Sequence, residues 1–161
     1  YNIPGRTSIN FLPESIATLV ERTTNVTCMK EATGDLNQMM RLIELCGDKM
    51  TLLSGDDNLL LPILSIGGVG VISVLSNILP GTVKKVITSY SEGNIEEARN
   101  IFYSILPLCR AMFLETNPIP IKAAMHLKGF CENELRLPMT SLSSENIENL
   151  KIAFKNFGKE L

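Results

Sequence analysis

Tryptophan is absent from this sequence, histidine occurs once, and no two cysteines lie two residues apart. A Cys/His metal site therefore has almost no material, and no metal or other cofactor is expected. The four cysteines, Cys28, Cys46, Cys109 and Cys131, are widely spaced. They read as buried or half-buried free thiols in a reducing compartment. Charge is sparse: 15 basic against 17 acidic side chains in 161 residues leave a net −2. No global positive field exists to hold nucleic acid or an anionic membrane surface. Glycine (11) and proline (8) are too few for a low-complexity or collagen-like chain, and a 45% hydrophobic share excludes a disordered tail. No basic-then-apolar leader is visible, so the expected localisation is cytoplasmic.

One stretch is charge-free, from Asn58 to Val83. A spanning helix needs about 20 apolar residues. Pro62, Gly67, Gly68, Gly70, Asn77, Pro80 and Gly81 interrupt this run. A helix, a tight turn and a fully buried strand explain the same letters better than a membrane span.

Tyr1 to Leu12 reads as a loop around Pro4-Gly5. A helix is expected from Pro13, with Glu14 in its first turn and Ile16, Leu19 and Val20 on its apolar face. Strands are expected over 25–30, 50–54 and 70–75, each a short apolar run. Helices follow over about 36–46, 58–66 and 80–93, the second of the three strands being broken from its helix by Gly55-Asp56-Asp57. This alternation is the signature of parallel βαβ units, whose strands are buried on both faces.

After Gly93 the rhythm becomes helical. Asn94 with Glu97 three residues on suggests a capping box opening a helix that runs towards Glu115, kinked at Pro107. A short helix is expected over 121–128. A last one starts near Ser144, with Ile147, Leu150, Ala153, Phe154 and Phe157 at helical spacing. The expected organisation is residues 1–93 as parallel βαβ units, the second part of something larger, and 94–161 as a C-terminal helical region. Three strands cannot close a barrel or shield their own edges, and a (β/α)₈ barrel needs about 250 residues. The pattern reads as part of something larger.

Lys30 is the sharpest single residue. It ends a strand whose other members, Val26, Cys28 and Met29, are apolar. Loss of hydration there disfavours an ammonium, and a neutral amine attacks carbonyls to form an imine. The plainer alternative is a strand-end lysine paired with Glu31 at the surface. Tyr1 has a phenol able to relay protons, and Arg6 a guanidinium able to clamp a carboxylate; both also suit an ordinary loop. Gly55 permits close backbone approach. Asp56 and Asp57 alone are a weak metal signal. Gly67-Gly68-Val69-Gly70 precedes a strand, whereas a dinucleotide fingerprint follows one, so it reads as a turn. His126 has no visible triad partners and reads as structural or surface.

These pieces combine into a resemblance. Tyr1-Asn2-Ile3-Pro4-x-x-Thr7, followed by Met29-Lys30-Glu31-Ala32, resembles the second signature of the dihydrodipicolinate synthase / N-acetylneuraminate lyase family. Ser54-Gly55-Asp56-Asp57, Gly67-Gly68-Val69-Gly70-Val71-Ile72-Ser73, Asn117-Pro118-Ile119-Pro120-Ile121-Lys122 and Leu135-Arg136-Leu137-Pro138 continue it over essentially the whole chain. The resemblance implies an α/β fold, the C-terminal part of a (β/α)₈ TIM barrel with a C-terminal helical extension. It implies a Schiff-base lyase in which Lys30 forms the imine with pyruvate and Tyr1 donates and accepts the proton. Arg6 would hold a substrate carboxylate, as in the family's synthases, while Gly55 and Ile72 would present backbone at the pyruvate site. The implied reaction is condensation of pyruvate with aspartate semialdehyde on the way to diaminopimelate and lysine. Cys28 departs from the small Gly or Ala usual two residues before the lysine. A Thr-Thr pair and a further Tyr of the family lie outside this chain, together with the first barrel strands. The chain alone is therefore expected to be inactive without its N-terminal complement, and the family's habit implies a homo-oligomer, commonly a tetramer. A relative acting on sialic acid or another keto-sugar acid, or a non-catalytic half-barrel assembly module, are the competing readings; Arg6 argues for the synthase.

Overall fold

Three short runs, each with alternate residues buried, line up as one parallel sheet in the computed structural model, which describes residues 1–161. They are β1 (Cys28–Glu31), β2 (Thr51–Ser54) and β3 (Gly70–Val71), in the order β1-β2-β3. The register pairs Lys30 with Leu53 and Leu53 with Gly70; Glu31 with Ser54 and Ser54 with Val71. Packing divides the chain into two units, Tyr1–Ser73 and Val74–Leu161. The first holds the sheet. The division falls at Ser73/Val74, whereas the sequence rhythm changes at Gly93.

In the first unit the opening segment is not a plain loop. Pro4–Thr7 winds into the single turn α1, and Asn2 forms a parallel bridge with Glu31. Helix α2 (Pro13–Arg22) starts at the proline as expected. Helix α3 (Leu36–Cys46) is capped by Asp35, whose carboxylate accepts from the amides of Asn37 and Gln38, and it stops at Gly47, φ 52°. Ile16 and Val20 of α2 and Met39, Leu42 and Cys46 of α3 pack with Met29, Met50, Leu52 and Ile63 to form the core of this unit. Burial of these apolar side chains is what holds helices this short in place.

The charge-free stretch resolves as the turn-and-strand reading requires. Helix α4 (Leu60–Ser65) follows a 3₁₀ turn at Asp57–Leu59, and Gly67, φ 102°, reverses the chain into β3. A Cβ on Gly68 would meet Ile63 Cγ1 at 2.5 Å and Ile63 O at 3.0 Å, so only glycine lets the chain pass this close to α4. No helix is long and apolar enough to cross a membrane. β3 is shorter than the expected 70–75. The partner strand β2 ends at Ser54, so after Ile72 N–H donates to Ser54 O (2.8 Å) the ladder has nothing left to pair with.

The second unit is helical: α5 (Pro80–Ser91), α6 (Ile95–Ala111), α7 (Ile119–Leu127) and α8 (Ser144–Asn156). Helix α5 packs along α6, and α8 against α6 and α7. Helix α6 runs through Pro107 and ends at Ala111. The expected Asn94–Glu97 capping box does not form. Glu97 instead accepts from Ser89 Oγ (2.8 Å) and pairs with Lys85 Nζ (2.6 Å), tying α6 to α5. Ser143 caps α8, and the carboxylate of Glu115 accepts from Ser143 N (3.0 Å) and Asn146 Nδ2 (2.9 Å). His126 Nδ1 lies 3.0 Å from Cys131 O. Cys46 and Cys109 are buried and Cys131 is half-buried. Cys28 is exposed, contrary to expectation, and lies on the same face of β1 as Lys30, opposite the buried Met29 and Glu31.

Candidate active site

Parallel strands bring their C-terminal ends to one edge of the sheet, and in β/α barrels chemistry is built there. Here the three ends form a stair. Beyond the last paired row, Gly55 N–H donates to Glu31 O (2.7 Å) and Ile72 N–H to Ser54 O (2.8 Å), so Ala32, Gly55 and Ile72 stand side by side. Lys30 lies two residues below Ala32 and is half-buried. Its long stem climbs past this row.

Gly55 makes room for that stem. A Cβ there would collide with Ala32 Cβ and approach Lys30 Cε to 3.2 Å. The glycine is thus a requirement of close packing beside the lysine.

Tyr1 completes the centre. Asn2 N–H donates to Lys30 O (3.0 Å) and Ala32 N–H to Asn2 O (2.9 Å), so Asn2 is bridged in parallel to the edge of β1. That bridge hangs Tyr1 over the lysine: Nζ lies 3.9 Å from the centre of the phenol ring. The face of an aromatic ring attracts a cation in this geometry and covers the amine on one side. The amine therefore lies against the phenol ring rather than away from it.

Asp56 is the acidic neighbour. Its backbone N–H donates to Ser54 Oγ, and Ser54 Oγ–H donates to Asp56 O, both at 3.0 Å, which folds the Gly55-Asp56 turn back on β2. Burial pushes the Asp56 carboxyl above its ordinary 3.8, the negative charges of Asp57 and Glu31 push the same way, and Lys30 opposes them. Asp57 is buried. No group of His, Cys, Asp and Glu side chains is arranged to hold a metal ion.

The other two expected residues are more open. Arg6 lies on α1, exposed, where Ser8 in the left-handed region (φ 59°) closes the turn by donating to Pro4 O (2.9 Å). Ile72 presents its backbone beside Gly55, and its side chain is half exposed.

Glu31 does not pair with Lys30 at the surface. Successive strand residues point to opposite faces, and Glu31 is fully buried on the face opposite the lysine. Its carboxylate accepts from Asn2 Nδ2, Gln38 Nε2 and Thr33 N. Sequence reasoning gave this residue no role of its own. The available signal was strand alternation itself, which forbids a shared face for neighbours at 30 and 31.

A lysine set against a phenol and a glycine turn thus stands at the C-terminal edge of a parallel α/β sheet. The chain belongs to the Dihydrodipicolinate synthetase family, which it matches over residues 1–157. Its relatives include the 4-hydroxy-tetrahydrodipicolinate synthases of Leptospira biflexa serovar Patoc (strain Patoc 1 / Ames), 50% identical over 98% of this chain and 55% of the relative, and of Geobacter sp. (strain M21), 46% identical over 98% and 54%. Among solved structures, the dihydrodipicolinate synthase of Thermotoga maritima superposes with a TM-score of 0.94 at 42% identity, over 98% of this chain and 54% of that one. That of Aquifex aeolicus gives 0.96 at 38% identity, over 100% and 55%. The chain thus spans about half the length of the relatives it matches, and its three parallel strands with their helices are those of that family's barrel.

Proposed function

We propose that this chain is the lysine-bearing part of a lyase that condenses pyruvate with aspartate semialdehyde through a Schiff base, feeding diaminopimelate and lysine biosynthesis. The observation that carries this reading is Lys30 Nζ set 3.9 Å from the Tyr1 ring at the strand edge, beside the Gly55 turn. The names borne by the relatives support the synthase over a keto-sugar-acid aldolase.

In this reading the unprotonated Lys30 amine adds to the keto carbon of pyruvate. Loss of water gives the imine, whose nitrogen withdraws electrons and acidifies the methyl group. Removal of a methyl proton leaves an enamine, and its carbon attacks the aldehyde. Tyr1 carries protons to and from the reacting groups through its phenol. The backbone at Gly55 and Ile72 lines the pyruvate site, and the Arg6 guanidinium takes the semialdehyde's carboxylate. The missing barrel strands come from residues outside this chain, and the assembled protein is a cytoplasmic homo-oligomer. The 161 residues alone do not turn over.

The test is reductive trapping in the full-length protein that contains this chain. With pyruvate and borohydride, peptide mapping is expected to find one adduct, on Lys30, and Lys30→Ala is expected to remove it together with semialdehyde-dependent turnover. An adduct on another lysine, or turnover surviving in Lys30→Ala, would refute the proposal.

A further inference from the structure

The phenol is placed over the amine through its neighbour Asn2, which is bridged to β1. The backbone of Asn2 is bridged to β1 by two hydrogen bonds. Its side chain adds a second link behind the sheet. The Asn2 side chain is buried; its Nδ2 donates to Glu31 Oε2 (3.0 Å) and Asn10 Oδ1 (2.8 Å), and its Oδ1 accepts from Phe11 N (3.1 Å). Gln38, on α3, donates to the same Glu31 oxygen (3.3 Å) and exchanges two hydrogen bonds with Asn10 (2.9 and 3.0 Å). The other Glu31 oxygen accepts from Thr33 N (2.7 Å), fixing the turn out of β1.

The carboxylate is the hub. It has no cationic partner and is held by neutral donors alone. Each of its oxygens receives hydrogen bonds and neither gives one. An amide of the same shape would turn one oxygen into an NH₂ group facing another donor, whichever way it flipped. A buried network with one unmatched member loses more than that one bond. The geometry points to Glu31 as a positioning residue. Buried on the opposite face from the chemistry, it locks the Tyr1-Asn2 segment, the 8–11 loop and α3 to the strand that carries Lys30, and so sets the phenol over the amine. This rests on the function proposed above.

The test uses Glu31→Gln in the full-length protein. Borohydride trapping with pyruvate counts the sites whose lysine still forms the imine, and kcat is then expressed per trapped site. Trapping at Lys30 is expected to persist with KM for pyruvate within about threefold. The kcat per trapped site should fall about tenfold to a hundredfold, since misplacement of a reacting group by an ångström costs that much. Backbone hydrogen exchange should rise in the 1–11 peptide and not in α3 beyond its first turn. Loss of overall folding alone would reduce the number of trapped sites and leave kcat per site unchanged; that outcome overturns the inference. If the variant does not accumulate, Asn10→Ala, at the exposed end of the network, gives the same comparison with an expected fall of about twofold to fivefold; an unchanged kcat per site there also overturns it. Failure of the unmodified protein to trap pyruvate would instead sink the function beneath it.

Discussion

Gly55→Ala tests how tightly the strand edge is packed around the lysine. The added methyl would meet the Cβ of Ala32, which is rigidly attached to backbone and cannot swing aside, and would crowd Lys30 Cε at 3.2 Å. Restoring ordinary contact requires β1 and the Gly55 turn to part by roughly 1 Å. They are joined there by the 2.7 Å bond from Gly55 N to Glu31 O, so the shift stretches this hydrogen bond beyond the last paired row of β1 and β2. Overpacking of this kind costs about 1–3 kcal/mol of stability. The same displacement at a reacting amine lowers its rate about a hundredfold. Pyruvate–borohydride trapping rates, followed by intact mass in the full-length protein, should show that loss, with thermal unfolding reporting the smaller effect on the fold. Adding Ala32→Gly to Gly55→Ala removes the worst contact and should recover about tenfold of the trapping rate. A Gly55→Ala protein that traps at the unmodified rate, or a double variant no better than the single, would refute the reasoning.

Two other outcomes are expected. Because the Asp56 carboxyl is held above its ordinary 3.8 by burial and by Asp57, its contribution to stability is complete below that value and is lost as the pH rises through the folded-state value; the difference between the unmodified protein and Asp56→Asn in urea unfolding should therefore grow in favour of the variant from acidic to neutral pH, and a pH-independent difference would contradict the assignment. Asp35→Ala removes the acceptor of Asn37 N (2.8 Å) and Gln38 N (3.4 Å) at the start of α3 and should cost about 1 kcal/mol of unfolding free energy, read by denaturant titration.

What could be read from the letters depended on whether a residue's partners were near it in the chain. β2 announces itself as a short apolar run, whereas β1 starts three residues later than the expected 25–30 and runs one residue past Lys30, because its pairing with Thr51–Ser54 sets its ends; Pro13, Asp35 and Gly47 mark helix ends because capping is local chemistry. Lys30 and Gly55 were legible because a cation in an apolar strand and a glycine after one are both exceptions to pattern. β3 is shorter than its apolar run because its length is set by where its neighbour β2 stops, at Ser54, far back in the chain. The link between Asn2 and Glu31 spans 29 residues and looks, in the sequence, like a proline-glycine loop and a surface ion pair. Glu97 has the spacing of a capping box, but its preferred partners lie on the preceding helix.

The opposition of Lys30 and Glu31 across one strand also limits how such a protein can vary in length. A slip of β1 by a single residue would exchange the two side chains, bringing an acid to the mouth and driving an amine under the helices. Insertions and deletions are therefore tolerable in the connections before and after this strand but not within its four residues, where the unit of permissible change is a pair.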